Sequence, residues 1–563
     1  MGAFGELMDN STASAGSFDE GAALRKLVEI GIALSAERTR DRLLERILIE
    51  AMTLSQADGG TLYLRTDDQR LEFAIMRTLS TGAAFGGTTG RATGLAPLRL
   101  FLADGSENHR NVATHVALAG EPVNVEDAYT TTAFDFSGAR DYDRRSGYRS
   151  QSFLTVPLKS IHNEVIGVLQ LVNAVDRMTG AIMPFAEAAQ GVVLALASQA
   201  AVALDNHQLL DGQKKLMEAF VHVIARAIDE KSPYTGAHCQ RVPVITEMIA
   251  DAACAAREGP FSDFTLTPEE RYELHIASWL HDCGKITTPE WVLDKATKLE
   301  RVYDRIETVR TRVEILKRDA EISCLHQKLA RPEQAAALDV ALQIEMAQLD
   351  DDIAFLERCN RGSERMPADD QARVLRIADC QWRDGKGQMR PLLDTDEADN
   401  LCIHYGTLLP SERSIVNNHI VMTIQMLEEL PFPRDLRHVP EFAGAHHERM
   451  DGRGYPRGLT RDQMSVPARI MAIADIFEAL TAGDRPYKPA KKLSETLAIM
   501  ERMKANNHID PDLYDLFIAS GIYLDYAHRF LQPEQIDVGH SESHQVGPRA
   551  DLDQIDPDAD TVM

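Results

Sequence analysis

Two adjacent histidines, His446 and His447, open a stretch that reads HHERMDGRGYPRGL at residues 446–459. Its glycines and proline explain a loop, because they supply the backbone conformations of tight turns. They do not explain the histidines, whose neutral imidazole nitrogens are common ligands of divalent transition metals. The stretch therefore raises the hypothesis of a metal site, which other parts of the chain have to complete.

Asp475 is the strongest single indication of such a site. It lies in PARIMAIADIFEALTAGDRPY, whose apolar residues have the spacing of a buried helix. A carboxylate buried there costs several kcal/mol unless a partner or a metal compensates its charge. His281 and Asp282 raise the same point, because they end the apolar run HIASWL.

Three further segments carry residues of the same kind, namely YTGAHCQRV, WLHDCGK and IVNNHIVMTIQML. Each histidine taken alone could equally be a buried core residue that is hydrogen-bonded and binds no metal. Together, five histidines and two aspartates exceed the needs of one metal and suit two metals that share a bridging carboxylate. The candidate ligands are His238, His281, Asp282, His419, His446, His447 and Asp475.

The composition limits the class of protein. A chain of 563 residues exceeds one hydrophobic core, so two or three domains are expected. The net charge of -26 argues against broad binding to nucleic acid, which needs a basic surface. Seven scattered cysteines without a CxxC motif suit the reducing cytoplasm. No uninterrupted apolar run reaches the roughly 18 residues of a membrane span, so no membrane insertion is expected.

The first domain is predicted at residues 22–186, after a disordered leader at 1–21. A helical segment is followed by two strands around the Asp67-Asp68 turn, and FLTVPLKS and VIGVLQLVNAV form a second predicted hairpin. This order indicates an α+β module.

The stretch HVALAGEPVNVEDAYTTTAFDFSGARDYDRRSGYRSQSFLTVPLKSIHNEVIGVLQLVN resembles the GAF domain, particularly GAF domains that bind cyclic nucleotides. The resemblance covers about residues 25–205 and implies a sensory role. It departs from the cyclic-nucleotide pattern at Ala174, where those domains have a lysine. A bound cyclic nucleotide and a ligand-free or dimerising module both remain open.

A long helix is predicted at residues 187–230, and its irregular apolar stripe either pairs with a second copy in a homodimer or packs on its own domain. A second domain follows at 231–535. Two charged amphipathic helices broken at Arg331-Pro332 predict a helical hairpin, inserted at about 300–404. Two roles for this inserted hairpin remain open: it either extends a dimer or restricts access to the site.

Several other segments of this half are predicted to carry no chemistry. GSERMPADDQARV and RDGKGQMRPLLDTDEADN are polar and are predicted to be loops. His326 and His404 have no acidic or histidine neighbours and are predicted not to bind metal. Residues 536–563 are predicted to form a disordered acidic tail.

HDCGK and HHERMDGRGYPRGL, with the flanks KSPYTGAHCQRV and RIMAIADIFEALTAGDRPYKPA, resemble the HD-GYP subgroup of the HD phosphohydrolase superfamily. The resemblance covers about residues 215–302 and 405–530. It implies an all-helical domain that hydrolyses cyclic di-GMP, a bacterial second messenger, to pGpG or GMP. The family joins its two parts by a short stretch, into which the predicted hairpin is inserted here.

The resemblance also implies roles for residues. It makes all seven candidates ligands of two divalent metals, iron or manganese in preference to zinc or nickel, with Asp282 as the bridge. Lys285 then meets a substrate phosphate, and Tyr455 and Arg485 contact or position the nucleotide. Some members hold a third metal through a glutamate before the first histidine; the nearby residue here is Tyr234, so two metals are expected.

Two other functions stay open at this point. One is hydrolysis of another cyclic nucleotide or dinucleotide, because the motifs fix the metal site better than the base pocket. The other is a catalytically silent scaffold that binds a diguanylate cyclase through the Gly-Tyr-Pro surface. The presence of all seven expected ligands favours an enzyme.

Overall fold

The computed structural model describes residues 20–231, 238–362, 365–483 and 490–539. Most of the predicted leader and most of the predicted tail lie outside these ranges, and the last two residues of the predicted leader instead begin a helix. The chain divides into two compact units, Met1–Leu216 and Met217–Met563.

The first unit combines helices with one antiparallel sheet. The elements are α1 (Glu20–Ala36), α2 (Arg40–Ser55), β1 (Ala57–Arg65), β2 (Arg70–Thr78), β3 (Ala83–Gly86), β4 (Leu98–Arg99), α3 (Val112–Ala119), β5 (Val123–Val125), α4 (Ser137–Ser146), β6 (Phe153–Lys159), β7 (Val165–Val175), β8 (Ile182–Met183) and the first part of α5 (Glu187–Lys231). The strand order in the sheet is β3-β2-β1-β7-β6-β5, with β4 paired to β2 and β8 paired to β7.

Both faces of this sheet are covered. Because side chains alternate along a strand, Leu62 and Tyr63 of β1 point to opposite faces. Leu62 packs with α1, α2 and α5, whereas Tyr63 packs with α3. The second face also borders a cavity of about 400 Å³, lined by Phe73, Phe136 and Phe153 among others. The predicted α+β module and both of its predicted hairpins are therefore confirmed.

The predicted long helix is present as α5. By length and composition it is the one helix in the described ranges that could cross a membrane. Packing within the protein accounts for several of its apolar residues, because Val193, Leu196 and Ala200 are buried in the core of the first unit. Further along the helix, Val221 and Ile228 belong to the core of the second unit.

The second unit is mainly helical. Beyond the end of α5 it contains α6 (His238–Ala255), α7 (Pro268–Leu280), α8 (Glu290–Leu293), α9 (Ile306–Ala330), α10 (Ala335–Asn360), α11 (Ala368–Ala378), β9 (Gln381–Arg383), β10 (Met389–Pro391), α12 (Thr395–Leu401), α13 (Pro410–Glu428), α14 (Val439–Gly444), α15 (Val466–Thr481), α16 (Leu493–Ala505), α17 (Pro511–Ala519) and α18 (Ile522–Phe530).

Helices α9 and α10 form the predicted hairpin, and the segment around it has a hydrophobic core of its own. The two ends of this segment meet. The Lys295 ammonium lies 2.7 Å from a Glu412 carboxylate oxygen and 2.6 Å from Asn400 Oδ1. The Thr407 hydroxyl donates to the Lys295 carbonyl at 2.9 Å. The insertion is therefore closed at its base by buried polar contacts.

Two predicted loops of the insertion are instead ordered elements. GSERMPADDQARV leads into α11, and RDGKGQMRPLLDTDEADN contains β10 and the start of α12. The Asp394 side chain accepts from the Glu397 amide, and Glu397 accepts from the Asp394 amide, a capping box that starts α12. The loop prediction was wrong because polarity was given more weight than this capping signal.

Candidate metal centre

The seven candidate ligands come from five places in the second unit. His238 starts α6, His281 ends α7, and Asp282 leads into a 3-10 turn at Cys283–Thr287. His419 lies within α13, and Asp475 lies within α15. His446 and His447 follow α14. All are buried except His447, which is partly exposed.

The approach of the turn to α13 depends on a glycine. A Cβ atom at Gly284 would lie 2.0 Å from the His419 carbonyl oxygen and 2.5 Å from the Thr423 amide nitrogen. Only glycine lets the two backbones come this close. The Gly284 amide donates to the Thr423 hydroxyl at 2.9 Å. This contact sets Asp282 beside His419.

One part of the site groups His238, His281 and Asp282, whose ligand atoms lie within 4.8 Å of one another. Asp282 Oδ2 is 3.3 Å from His238 Nε2 and 3.2 Å from His281 Nε2. Asp475 Oδ1 lies 3.1 Å from His238 Nε2 and 3.6 Å from His281 Nε2. Two carboxylates thus face two imidazole nitrogens.

The other part groups His419, His446 and His447 within the same distance. His419 Nε2 lies 3.2 Å from His447 Nε2. The second oxygen of Asp282, Oδ1, lies 3.4 Å from His419 Nε2. Asp282 therefore presents one oxygen to each group, which is the arrangement that a bridging carboxylate requires.

Contacts on the far side of the rings fix which nitrogen faces the site. The Nδ1 atoms of His281, His419 and His446 donate to backbone carbonyls three residues earlier, at 2.8, 2.6 and 2.6 Å. Each Nε2 is then the nitrogen directed inward, and in the neutral ring it carries the lone pair that a metal would bind. Metal-binding histidines commonly use their second nitrogen in this way, which orients the ring and fixes the tautomer.

Glu478 likewise orients the ring of His238, and it was not among the residues predicted from the sequence. One of its carboxylate oxygens accepts from His238 Nδ1, and the other lies 2.5 Å from Arg241 Nε. Glu478 is three residues after Asp475 in α15 and is buried on the same side of that helix. A second carboxylate in that apolar segment is the signal that would have found it.

Several buried atoms of the site lack hydrogen-bond partners in the described part of the chain. They are Asp282 Oδ1, Asp475 Oδ1 and His446 Nε2. Buried polar atoms are rarely left in this state, because losing water without replacement is costly. A nitrogen lone pair facing a carboxylate oxygen needs a cation between them. The donor set of imidazole nitrogen and carboxylate oxygen fits divalent transition metals.

The electrostatics differ between the two groups. Burial lowers the pKa of both His419 and His446 to about 4, so their imidazoles are neutral. Burial acts on His281 in the same direction, but Asp282 and Asp475 outweigh it and raise the pKa of His281 to about 9. The pKa of Asp282 lies well below its usual range, because Lys285 and the histidines overcome the effect of burial.

Lys285 is buried with its ammonium 2.7 Å from Asp282 Oδ2. Burial opposes its charge, but Asp282 outweighs this effect and raises the pKa of Lys285. The structure thus places a positive group at the edge of the site, beside the carboxylate that faces both groups of ligands.

The Gly-Tyr-Pro loop closes back onto His447. The ring of Tyr455 stacks on the His447 ring with centroids 4.9 Å apart. Buried Glu448 accepts from the amides of Arg457 and Leu459 at 2.7 and 2.9 Å, which ties the far end of the loop to its start. A Cβ atom at Gly454 would lie 2.3 Å from the Arg449 amide nitrogen, so this close return requires glycine.

Three other sequence predictions concern Arg485, His404 and His326. Arg485 lies outside the described residues. The His404 ring accepts from Arg365 Nε at 2.9 Å, and His326 lies on α9. Within the described ranges, neither histidine belongs to a group of three potential ligands.

Two family models match the chain. A GAF domain model matches residues 39–204, and an HD domain model matches residues 394–513. Both resemblances are therefore confirmed, and so is the predicted multidomain fold class. The HD match starts late in the insertion, so His238, His281 and Asp282 lie outside the matched range.

Three characterised relatives share part of the sequence. The 3′3′-cGAMP-specific phosphodiesterase 3 of Vibrio cholerae is 26% identical over 299 residues, covering 53% of this chain and 38% of the relative. The 3′3′-cGAMP-specific phosphodiesterase 1 of the same organism is 45% identical over 80 residues, covering 14% and 18%. A cyclic di-GMP phosphodiesterase of Thermotoga maritima is 30% identical over 157 residues, covering 28% and 42%. The chain spans less than half the length of each of these relatives.

Proposed function

We propose that this chain, which contains a GAF domain and an HD domain of the HD-GYP type, is a metal-dependent phosphodiesterase that hydrolyses cyclic di-GMP to pGpG, GMP or both. One observation carries the proposal: Asp282 presents an oxygen to each of two groups of buried potential metal ligands. The names of the relatives support the substrate class, because they act on cyclic dinucleotides.

The proposed chemistry uses the cluster as follows. Bound divalent cations would neutralise charge on the diester and make an attacking water more acidic. The five histidines, Asp282 and Asp475 are proposed to hold the cations. Lys285 keeps its ammonium beside Asp282 and is proposed to meet a phosphate oxygen, which stabilises the negative charge that grows in the transition state.

The substrate contacts at the Gly-Tyr-Pro loop follow from its shape. Tyr455 stacks on His447, and we propose that it also contacts the nucleotide. Arg485 stays a predicted nucleotide contact. Iron and manganese are the proposed metals, and the imidazole nitrogens and carboxylate oxygens of the site are donors that both metals accept.

The test is product analysis with full-length protein purified without oxygen and loaded with iron or manganese. Cyclic di-GMP should give pGpG or GMP, and Asp282→Ala should abolish turnover and reduce bound metal. The Asp319→Ala variant, in an exposed acid of α9, is the matched control and should retain both properties. Metal-loaded protein that leaves cyclic di-GMP intact would contradict the proposed activity.

A second substrate is favoured by two of the relatives, which are named for 3′3′-cGAMP. Competition between cyclic di-GMP and 3′3′-cGAMP in one reaction gives the ratio of their kcat/KM values. A ratio above one for 3′3′-cGAMP would assign that substrate instead. No turnover of either, with full metal content, would favour a scaffold that binds a diguanylate cyclase.

Regulation by the GAF domain is proposed to act through its cavity. About 400 Å³ of space is lined by Phe73, Phe136 and Phe153 together with the polar side chains of Thr61 and Asn111. Aromatic rings and a few polar groups suit a planar heterocyclic ligand. Cyclic AMP and cyclic GMP are therefore the first candidates, and a melting shift of the first unit would detect binding.

The proposed assembly is a homodimer through α5. Leu209, Leu216, Phe220 and Val223 are all more than half exposed on this helix. Their spacing is that of a helix that pairs with a second copy. Light scattering should therefore show a dimer that Phe220→Glu dissociates. All seven cysteines are free, which supports the proposed cytoplasmic location.

A further inference from the structure

The last residue of α5, Lys231, binds the turn that carries the chemistry. Its ammonium donates to the backbone carbonyls of Lys285, Ile286 and Thr288 at 3.3, 2.6 and 2.6 Å. An ammonium has three N–H donors. Among the described residues, the three oxygens that accept from it belong to one short stretch of backbone soon after Asp282.

The Lys285 carbonyl also accepts from the Thr288 amide at 3.0 Å. The Ile286 and Thr288 carbonyls lie at and just after the end of the 3-10 turn Cys283–Thr287, where the last carbonyls of a helical turn have no partner within the turn. The same end carries partial negative charge, which a cation stabilises. Lys231 is partly buried and makes no ion pair with a carboxylate in the described ranges. Its charge is therefore directed to the backbone of the turn.

The turn is held on a second side by α13. Gly284 lies against the backbone of that helix, and its amide donates to Thr423. Lys231 provides the contact on the α5 side. The Lys285 ammonium of this turn lies 2.7 Å from the carboxylate of Asp282, which immediately precedes the turn. A shift of the turn would move both groups relative to His419.

Lys231 is also where α5 meets the site. The helix has Val193 and Leu196 buried in the core of the first unit, and it ends at Lys231. A displacement of this end of α5 would act on the turn through Lys231. The three carbonyls of the turn would then lose or regain their shared donor.

We propose that Lys231 is a positioning residue, through which the end of α5 sets the geometry of the turn that carries Asp282 and Lys285. The inference rests on the proposed phosphodiesterase function for its kinetic consequence, but not for its structural one. It gives a reason for a lysine at the end of α5 that metal binding alone does not supply.

The test uses full-length, metal-loaded protein with Lys231→Met, which keeps the length of the side chain and removes its donors. Lys231→Arg retains donors and serves as the conservative variant. Lys215→Met, in an exposed residue of the same helix, is the matched control. Each variant is compared for bound metal, kcat, KM and amide hydrogen exchange of residues 283–288.

Lys231→Met should lower kcat by about 10- to 100-fold, because small displacements of reacting groups have effects of this size. Metal content and KM should change much less, and amide exchange in 283–288 should become faster. Lys231→Arg should restore part of both kcat and protection, and Lys215→Met should match the parent protein.

Hydrogen exchange separates this inference from the proposed activity, because it needs no substrate. Faster exchange in Lys231→Met without any turnover in the parent protein would reject the phosphodiesterase and keep the positioning role. Unchanged exchange and unchanged kcat in Lys231→Met would overturn the inference. If that variant does not fold, Lys231→Gln and Lys231→Arg decide by the same two measurements.

Discussion

At the scale of single residues, the candidate metal centre includes groups behind the proposed ligands. Glu478 binds His238 Nδ1 and is itself held by Arg241. Such outer contacts orient a ligand ring and raise its basicity, and their loss typically weakens metal binding by about 10- to 100-fold. Glu478 is thus as informative about the site as a ligand would be.

Glu478→Gln should therefore weaken metal binding by about one to two orders of magnitude, because a neutral amide is a poorer partner for the His238 N–H. Competition with a chelator measures the affinity. Glu501→Gln, in an exposed residue of α16, is the control. Equal metal affinity in Glu478→Gln and the parent protein would show that His238 does not need this contact.

Gly284, the glycine of the HDCGK segment, gives a second test at this scale. Gly284→Ala would place a methyl group onto the α13 backbone, so we expect a loss of about 1–3 kcal/mol or more in unfolding free energy. Gly212→Ala in α5 meets no atom within 4 Å and should be neutral or slightly stabilising, because alanine favours helix. Urea denaturation measures both. A Gly284→Ala variant as stable as Gly212→Ala would contradict the close packing.

Some of the candidate ligands can be proposed from local patterns in the sequence, whereas the complete set of seven rests on the family resemblance. Asp475 interrupts an apolar helix, and His446 and His447 precede a loop that needs no histidine. Glu478 interrupts the same helix but was not weighed, and its partner His238 is far away along the chain. Contacts between residues far apart in the sequence, such as that of Lys231 with the turn after Asp282, leave no periodic pattern in the sequence. They could therefore not be predicted from it.

At the scale of secondary structure elements, the insertion is joined to the unit through a buried ion pair. Lys295 and Glu412 have side chains that are almost completely shielded from solvent. Removing one member of a buried pair leaves an unpaired charge, whereas replacing both with apolar groups is much less harmful. The pair therefore gives a test of how firmly the base is fixed.

Glu412→Leu should lower the unfolding free energy of the second unit by about 3–5 kcal/mol, because it leaves the Lys295 ammonium unpaired. The double variant Lys295→Met with Glu412→Leu should recover much of this loss. Denaturation midpoints of the three proteins measure the effect. If the double variant is no more stable than the single one, another group compensates the charge of Lys295.

The order of elements was easier to predict than their detail. The β6–β7 hairpin and the break at Arg331-Pro332 followed from strand alternation and from proline. Helix α12 was missed because its signal is a capping box within a polar stretch. The β9–β10 pair was missed because strands of three residues are too short to show an alternating pattern.

At the scale of the whole molecule, the two units have separate hydrophobic cores. The candidate metal ligands all belong to the second unit, and the cavity lined by aromatic rings belongs to the first. A ligand that binds only the folded form of one unit stabilises that unit by mass action. Metal and GAF ligand should therefore act on different parts of a melting curve.

Calorimetry should show two transitions, with added iron or manganese raising the midpoint of only one. A segment of residues 22–216, expressed alone, should reproduce the transition that metal leaves unchanged. The Asp282→Ala variant should lose the metal shift and keep both transitions. A single transition that moves as a whole with metal would show that the units unfold together.

The meeting of the insertion's two ends has a consequence for the history of the gene. Lys295 and Glu412 touch across the base of the insertion, so the chain enters and leaves the insertion at neighbouring points. Neighbouring ends are what a DNA segment inserted into an existing gene needs if the enclosing fold is to be kept. A reporter domain could be inserted at the same position in place of the present segment. A conformational change in that domain would then act on residues near the turn that follows Asp282.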